Sequence, residues 1–525
     1  MRTTRLCTDA SAEAGTRRGT AGIVLILLAV GLCSALHALA KPFWLDEICT
    51  VMMSRLPSAS EIWKALDHAA DSNPPVYYLV NRLARQLVPD DHLGYRLPSI
   101  LGLLGIVYCI YIILSRRVSR LSALVGATFV LCTPLAEYAY EARPYALMIG
   151  CVSCAILAWQ RIEDSSLYAI FVAISLAAAV SLHYYAVFVW PAFLVAEASV
   201  WIFHRRFRVS AWASIAAGAL PLLFFSKLLL RMRQYYGHNF WSHVSFRQIV
   251  FMHNWLFNMS GYWGWSFAVG ITAIILYYSV VKAATPGLPG NQKVEEEAFP
   301  IEERALILML LWLPAIAIAA SKIGHGGMTE RYMMPTILGG ALAFGYLTSK
   351  LPRTVGVLLL FLLSTSYALS SVGVVKNALN GSLLESRVAA THELQAIVAE
   401  NNKSGLPVVM SNEVRYLPMV YYTPAASKLQ LYAVTDPSAA VEFADNKSDS
   451  ADLELLVLRQ YFPLQVEDYG GFVSKHREFL VVSGTGGGYG GGSEWLPARL
   501  AHDGDDVRLL STADQTTLYH VIMKP

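Results

Sequence analysis

Charged, amide and imidazole side chains stand at five junctions between apolar runs and polar segments. Ionisable groups near membrane depth are energetically costly, so those that occur there are usually functional. We take these junctions as one candidate site. They contain Asp46 and Glu47; Asn73 within Asp71-Ser72-Asn73-Pro74-Pro75; Glu137, Glu141 and Arg143; His183, Tyr184 and Tyr185; and Glu330, Arg331 and Tyr332.

These residue types suit the transfer of a sugar from a lipid phosphate. The departing phosphate is already a weak base, so the reaction needs no general acid. It needs a carboxylate to take the acceptor's hydroxyl proton, and cations to hold the phosphate as charge develops on it. Asp46, with Glu47 beside it, suits the first task. Arg143 and Arg331 suit the second, because guanidinium forks match phosphate oxygens.

Each group alone also has an ordinary structural explanation. Asp46 is compatible with a loop carboxylate, Glu141 and Arg143 with a local salt bridge. His183 is compatible with a hydrogen-bonded interfacial histidine. The functional interpretation therefore depends on the five junctions meeting on one side of the membrane.

The composition is that of a membrane protein. Of the 525 residues, 55% are hydrophobic and only 15% are charged, and the mean hydropathy is +0.43. The net charge of +3 gives no indication of a nucleic-acid partner. All seven cysteines lie in the first third of the chain, mostly in apolar runs, so we expect no disulfide framework.

Apolar runs of about twenty residues recur along the chain, and this is the length at which a helix crosses the hydrocarbon core. The first run is too long for a signal-peptide core and further runs follow it, so we interpret it as an uncleaved span. We predict eleven spans, near 21–40, 97–115, 119–136, 144–160, 166–182, 186–203, 210–230, 263–283, 305–321, 333–349 and 353–374.

Basic clusters alternate with less basic connections and share a side with the arginine-bearing N-terminus. The positive-inside rule places the tail 1–20 in the cytoplasm, and an odd number of spans places the chain after Val374 outside. On this topology all five junctions reach the outer face, although only basic clusters and span number were used to derive it.

The region 41–96 is predicted to be a large outer loop built from short amphipathic helices such as Ser60–Ala70. Its segment Pro74–Val88 is apolar but short. Arg82 and Arg85 share one helical face there, which favours a helix in the interface rather than another span.

A second outer loop, 231–262, is rich in aromatic residues, arginine and histidine. An interfacial aromatic belt explains this composition equally well. The inner connection 284–303 is predicted to be flexible, with no chemistry.

The transmembrane domain, 21–374, is followed by a predicted extracytoplasmic α/β domain over 375–525. Its tract Gly484–Gly492 lacks the lysine and following Ser/Thr of a P-loop, so a flexible loop is favoured over a phosphate site. Within the domain we predict a helix at Leu394–Val398 and strands at Pro407–Met410, Leu455–Leu458 and Phe479–Val482.

Six motifs follow one another in an order and spacing similar to a known group. They are Trp44-Leu45-Asp46-Glu47, Asn73-Pro74-Pro75-Val76-Tyr77-Tyr78, Arg96-Leu97-Pro98-Ser99, Glu141-Ala142-Arg143-Pro144-Tyr145-Ala146-Leu147, His183-Tyr184-Tyr185-Ala186 and Arg331-Tyr332-Met333-Met334-Pro335. Over roughly residues 20–375 the chain resembles the bacterial dolichyl-phosphate-mannose-protein mannosyltransferase-like family. These GT-C fold glycosyltransferases are related to protein O-mannosyltransferases, lipid A aminoarabinose transferases and rhizobial lipopolysaccharide-core transferases.

The resemblance implies a polytopic α-helical membrane protein of GT-C type with about eleven transmembrane helices and a C-terminal α/β soluble domain. It implies Asp46 as catalytic base with Glu47 as its neighbour, and inversion at the anomeric carbon. Glu141 with Arg143 would be the second acidic motif. The residues expected to bind substrate are Asn73, Glu141, Arg143, His183, Tyr184, Arg331 and Tyr332.

The implied donor is a sugar linked to a polyprenyl phosphate, here undecaprenyl phosphate, at the outer face of the inner (plasma) membrane. The implied acceptor is a hydroxyl of a lipid, a lipopolysaccharide or wall glycan, or a protein. Members of the fold differ in metal use. The sequence has no clear ligand set for a divalent metal, so a metal stays open and we assign no cofactor.

A flippase or transporter for a lipid-linked sugar is the main alternative. Transporters place polar groups and broken helices near the midplane, whereas the charged residues here lie at the outer ends of the spans. A sensor that signals through its soluble tail would not explain polar groups at five junctions.

Overall fold

The computed structural model describes residues 2–236, 242, 244–284, 300–324, 327–424, 429–444, 447–484, 494–513 and 516–524. Its first part, up to Leu379, is helical. The helices there, including short 3-10 segments, are Arg2–Ala40, Leu45–Arg55, Ala59–Asp67, Pro75–Leu87, Asp91–Ser115, Arg120–Phe129, Val130–Cys132, Pro134–Tyr140, Tyr145–Trp159, Ser166–Leu182, Tyr184–Val189, Trp190–His204, Val209–Gly218, Leu220–Phe224, Ser226–Tyr236, Gln248–Leu256, Trp263–Ala284, Ile301–Leu311, Leu313–Gly324, Glu330–Met333, Thr336–Thr348 and Arg353–Leu379.

The predicted spans coincide with apolar helical segments. In the described part, four helices are long and apolar enough to cross a membrane, or seven if each bent pair is one span. The remaining predicted spans coincide with shorter apolar helices of 10–17 residues. The protein is thus a polytopic helical membrane protein, and the number eleven stays a prediction. The four long helices are Thr20–Ala40, Asp91–Ser115, Tyr184–His204 and Arg353–Leu379.

The first and last of the four long helices, Thr20–Ala40 and Arg353–Leu379, expose large apolar side chains on the surface that faces away from the rest of the protein. Leu25, Leu28 and Phe361 are 67%, 66% and 64% exposed. Contiguous apolar surface of this kind is rare on soluble monomers and marks contact with lipid or a partner. These faces are therefore consistent with membrane-spanning helices.

Two spans cross at backbone contact where small residues face one another. A Cβ atom built on Gly102 would stand 2.5 Å from the backbone carbonyl of Ala146, and one built on Gly150 would stand 3.1 Å from the carbonyl oxygen of Gly102. Small residues at helix crossings allow this approach in membranes. Just above the crossing, the Ser99 hydroxyl donates to the carbonyl oxygen of Arg143 at 2.8 Å. The glycines thus hold two of the sequence motifs together.

The segment predicted to be the first outer loop, 41–96, contains three short helices, Leu45–Arg55, Ala59–Asp67 and Pro75–Leu87. Ser58 caps the second, because its hydroxyl accepts from the backbone N–H of Glu61 at 3.1 Å. The third is amphipathic, as predicted for this segment. This loop therefore carries ordered helices between the first two long spans.

The segment predicted to be the second outer loop, 231–262, contains the end of Ser226–Tyr236 and the helix Gln248–Leu256. His253 in that helix is structural, because its ring nitrogens contact the carbonyl oxygens of Ile249 at 2.7 Å and Leu311 at 2.9 Å. Residues 237–241 and 243 of this loop, and 285–299 of the inner connection, lie outside the described residues.

The C-terminal region is a small α/β domain with one six-stranded sheet. Its strands are β1 Val408–Met410, β2 Leu431–Thr435, β3 Val466–Asp468, β4 Glu478–Gly484, β5 Asp506–Ala513 and β6 Thr516–Ile522. Their order in the sheet is β3-β2-β1-β4-β6-β5; the first four in that order are parallel, and β6 and β5 are antiparallel additions. Its helices are Leu383–Ser386, Ala389–Asn401, Glu413–Tyr422, Pro437–Phe443, Ser450–Leu458, Tyr469–Lys475 and Trp495–Asp503.

One strand prediction in this domain is wrong. Leu455–Leu458 lies at the end of the helix Ser450–Leu458. The prediction failed because a short apolar run is compatible both with a buried strand and with one turn of a buried helix. The strands at Pro407–Met410 and Phe479–Val482 and the helix at Leu394–Val398 are confirmed. Residues 485–492 of the glycine-rich tract lie outside the described residues.

Candidate active site

The centre of the candidate site is the Asp46 carboxylate, which lies between two arginines from distant parts of the chain. Its Oδ2 atom is 3.1 Å from Nη2 of Arg143 and 2.9 Å from Nη1 of Arg331. Asp46 stands in the first turn of the helix Leu45–Arg55, where the helix dipole favours a negative charge. The structure thus brings together a carboxylate and two guanidinium groups that are 97 and 285 residues away in sequence.

The guanidinium groups of Arg143 and Arg331 each have one N–H, at Nε, that donates no hydrogen bond to the described residues. The Nε atoms of Arg143 and Arg331 are buried and have no hydrogen-bond partner among the described residues. Aromatic faces support the two groups, with Arg143 5.7 Å from the Tyr145 ring centre and Arg331 5.6 Å from that of Trp44. A buried N–H without an acceptor is costly, so this arrangement favours an anionic ligand.

Glu47, the next residue, faces into the protein. It pairs with Arg96 through two 2.7 Å hydrogen bonds, and both side chains are 0% exposed. Arg96 also donates to the carbonyl oxygens of Ala38, Lys41 and Pro42 at 2.6–2.9 Å. Every N–H of this guanidinium therefore has an acceptor. The pair closes the first outer loop onto the second long span.

Glu47 also positions the second acidic motif. Its Oε1 atom accepts from the backbone N–H of Ala142 at 2.6 Å, directly before Arg143. The Glu141 side chain turns away from Asp46 and pairs with Lys41. Burial, and then the charge of Glu47, raise the pKa of Glu141, while Lys41 lowers it. Glu141 thus belongs to the same network without touching the central carboxylate.

Asn73 is buried beside Asp71, and its amide donates to Asp71 Oδ1 at 3.4 Å. Burial raises the pKa of Asp71, while the charge of Arg143 lowers it. Asn73 therefore orients an acid close to Arg143 and makes no direct contact with Asp46.

An aromatic cluster forms one wall next to the arginines. The ring centre of His183 lies 5.1 Å from that of Tyr145 and 5.3 Å from that of Tyr332. Burial, and then the charges of Arg143 and Arg331, lower the pKa of His183 to about 3. This histidine is neutral at physiological pH.

Tyr184 does not join this wall. Its ring packs against Phe225, at 6.2 Å between centres, whereas the next residue, Tyr185, stacks on Tyr332 at 4.2 Å. Tyr185 is held there because its hydroxyl donates to the carbonyl oxygen of Gly327 at 2.6 Å. The substrate-binding role predicted for Tyr184 stays a prediction, and it is the ring of Tyr185 that lies in this wall.

Two further acids reach the site from the C-terminal domain. Glu454 Oε1 accepts from Cys49 Sγ at 3.3 Å. Burial, and then the charges of Asp71 and Asp46, raise the pKa of Glu454 to about 8. Burial and the charge of Glu454 also raise the pKa of Glu413. No sequence motif indicated Glu413 or Glu454, because they come close to Asp46 only through the contact between the C-terminal domain and the helical part of the protein.

In the described part of the chain, no group of three or more His, Cys, Asp or Glu side chains is arranged to hold a metal ion.

Comparisons with known proteins agree with this architecture. A family model described as dolichyl-phosphate-mannose-protein mannosyltransferase matches residues 72–230. This range includes Asn73, Arg143 and His183, and excludes Asp46 and Arg331. No curated protein sequence matches the chain significantly.

Two solved structures share the fold at low sequence identity. The crystal structure of ArnT from Cupriavidus metallidurans bound to undecaprenyl phosphate has a TM-score of 0.51 and 14% identity, covering 95% of this chain and 97% of that chain. The apo structure of ArnT from the same organism has a TM-score of 0.53 and 13% identity, with coverage of 95% and 98%. The ordered motifs, the family-model match and the shared fold confirm that this chain resembles the GT-C type, mannosyltransferase-like family.

Proposed function

We propose that this protein is an inverting membrane glycosyltransferase. It transfers a sugar from a polyprenyl-phosphate donor to a hydroxyl of a lipid, a cell-envelope glycan or a protein. The observation that carries the proposal is the contact of Asp46 with both Arg143 and Arg331. The family-model match and the fold shared with ArnT, one structure of which holds undecaprenyl phosphate, give further support.

In the proposed reaction, the two guanidinium groups bind the phosphate of the donor. Their buried, unpartnered Nε atoms provide donors that need not first leave Asp46. As the bond between the anomeric carbon and the phosphate oxygen breaks, negative charge grows on the phosphate. Fixed cations in a water-poor site stabilise that charge strongly. The polyprenyl phosphate leaves as an anion held by Arg143 and Arg331.

Asp46 acts as the general base. Both observed guanidinium contacts fall on Oδ2, so Oδ1 can take the proton of the acceptor hydroxyl without breaking them. The acceptor oxygen forms its bond to the anomeric carbon on the face opposite the phosphate, which inverts the configuration. A base held in place contributes about 10²- to 10⁴-fold to such a step.

The neighbouring residues have positioning and binding roles in this proposal. Glu47 acts through Arg96 and the N–H of Ala142, so it is a positioning residue rather than a second base. Neutral His183 and the ring of Tyr332 shape the wall beside the arginines. Glu141 and Asn73 keep their predicted place in the binding region through Lys41 and Asp71.

We place the site at the extracytoplasmic face of the plasma membrane, with the N-terminus in the cytoplasm. The positive-inside pattern supports this orientation. The C-terminal domain docks on the first outer loop, since the Phe43 N–H donates to the Tyr422 hydroxyl at 2.6 Å. Domain and loop therefore share a side of the membrane.

The experiment is Asp46→Asn, tested by glycan and lipid analysis of a deletion strain complemented with each variant. The deletion strain should lack one sugar and accumulate the donor lipid. Asp46→Asn should fail to restore the sugar while the purified protein stays monodisperse and binds undecaprenyl phosphate. Asp164→Asn, which removes an exposed partner of Arg161, is the matched control and should restore it. Full restoration by Asp46→Asn would reject this residue as the base.

A further inference from the structure

The C-terminal domain is fixed against the outer loop by polar contacts. Nε2 of His92 lies 2.8 Å from the Tyr422 hydroxyl, and Arg387 donates to the carbonyl oxygen of Leu39 at 2.8 Å. From the second outer loop, the Tyr235 hydroxyl donates to the carbonyl oxygen of Leu453 at 3.2 Å. The last contact is one residue from Glu454, so the position of this acid is set by the docking.

Glu454 stands next to the proposed base. It accepts from the thiol of Cys49 at 3.3 Å, and Cys49 lies three residues after Asp46 in the same helix. Residues three apart share one helical face. The Glu454 carboxyl therefore lies over the face that presents Asp46.

Glu413 approaches Glu454 and Asp46 from the carboxyl end of the central strand β1. It begins the helix that follows β1, and the strand order reverses between β1 and β4. The crevice at such a switch point is where open α/β sheets bind ligands. Its Oε2 atom is buried without a hydrogen-bond partner among the described residues.

Two buried tyrosines of the loop 41–96 line the same region. Tyr77 and Tyr78 are 0% exposed, and the side chains that interact with their hydroxyls are Asn81 for Tyr77 and Asp71 and Asn73 for Tyr78. Burial, and then the charge of Asp71, raise the pKa of the Tyr78 hydroxyl. Burial also raises the pKa of Tyr77, while the charge of Arg143 lowers it. These hydroxyls therefore lie beside Asp71 and Arg143, which border the site.

The charges decide what class of ligand fits. Any of Asp71, Glu413 and Glu454 that is ionised would repel an anion, and their spacing provides no metal site within the described residues. Burial raises the pKa of each, which favours the protonated form. A protonated carboxyl both donates and accepts, as a sugar hydroxyl does. Three such groups can bind several hydroxyls at once, whereas a peptide side chain offers one.

We propose that the C-terminal domain completes the acceptor subsite through Glu413 and Glu454, and that this subsite binds an uncharged, hydroxyl-rich saccharide. The inference rests on the proposed function, because it names the acceptor for Asp46. It assigns a role to a domain in which the sequence shows no catalytic motif.

The test uses the full chain in nanodiscs and three probes, namely dodecyl glucoside, dodecyl glucuronide and dodecyl glucosaminide. These probes are neutral, anionic and cationic, and binding is measured by ligand-observed NMR. The neutral glycoside should bind best. Glu413→Leu and Glu454→Leu should each weaken it about tenfold, the usual effect of losing one hydrogen bond, whereas Glu413→Gln and Glu454→Gln keep a donor and an acceptor and should retain most of the binding. Exposed Glu400→Leu is the matched control and should leave its affinity unchanged.

Binding of undecaprenyl phosphate, measured on the same samples, separates this inference from the proposed function. Intact binding of undecaprenyl phosphate with no binding of the neutral glycoside would overturn the acceptor subsite alone. Stronger binding of the glucuronide or of the glucosaminide would also overturn it, since each would show a charged acceptor. Failure of undecaprenyl phosphate to bind would overturn the proposed function itself.

Discussion

The buried pair of Glu47 and Arg96 allows the sharpest prediction about this fold. Glu47→Gln keeps the shape of the side chain but removes its charge. In the unsubstituted protein the Glu47 carboxylate accepts from Arg96 through both oxygens, and Oε1 also accepts from the N–H of Ala142 at 2.6 Å. In the variant, the amide N–H₂ group would replace one of these oxygens and would point a donor at another donor. The substitution therefore leaves a fully buried guanidinium without its counter-charge.

The expected cost follows from that isolation. Removing one partner of a buried ion pair typically lowers the free energy of unfolding by about 3–5 kcal/mol. The double variant Glu47→Gln/Arg96→Gln should lose less than the sum of the two single losses, because it leaves no buried charge. Since Ala142 precedes Arg143, Glu47→Gln should also weaken binding of undecaprenyl phosphate.

The assay is unfolding in mixed micelles by added detergent, followed by tryptophan fluorescence. Asp506→Asn, which breaks the exposed pair with Arg508, is the control and should leave the transition unchanged. A loss below about 1 kcal/mol for Glu47→Gln, or strictly additive losses in the double variant, would refute the view that this pair holds the site together.

Three further outcomes are expected. Arg331→Gln should weaken binding of undecaprenyl phosphate about 10- to 100-fold, and Arg331→Lys should restore it only in part because lysine lacks the fork; equal binding by all three proteins would contradict this. His183→Asn should lower the transfer rate without changing the shape of its pH profile, since the pKa of His183 is lowered to about 3; loss of a limb near neutral pH would contradict this. Burial and neighbouring acids raise the pKa of Glu454 from 4.5 to about 8, so stability should fall as the pH rises between these values. The thermal midpoint of Glu454→Gln should fall less over that range, and parallel slopes would refute the assignment.

The membrane part of the fold could be predicted from the sequence because apolar runs and basic clusters report directly on insertion. The same holds for the acids and arginines of the motifs, since ionisable groups at the ends of spans stand out against apolar sequence. Asp46, Arg143 and Arg331 were predicted in this way, and the structure places their side chains in contact.

Other parts depend on tertiary contacts that no local pattern carries. Tyr184 and Tyr185 are identical in type and adjacent, so only the turn after Leu182 decides which ring faces the site. The position of Glu47 depends on its pairing with Arg96. The sequence shows Arg96 as part of a motif at the start of a span, but it does not show that Arg96 pairs with Glu47. Glu413 lies in a domain whose docking the sequence does not describe.

The glycine contact between two spans makes the chemistry sensitive to a place that substrate never reaches. A methyl group at Gly102 would push the helix Asp91–Ser115 away from the helix Tyr145–Trp159, and Arg143 lies two residues before the start of Tyr145–Trp159. In a random mutagenesis screen, small-to-larger changes at Gly102 or Gly150 should therefore resemble substitutions of Arg143. During evolution, the residues packed between these helices are then constrained in two ways. They must allow the chain to insert into the membrane, and they must also keep Arg143 in position.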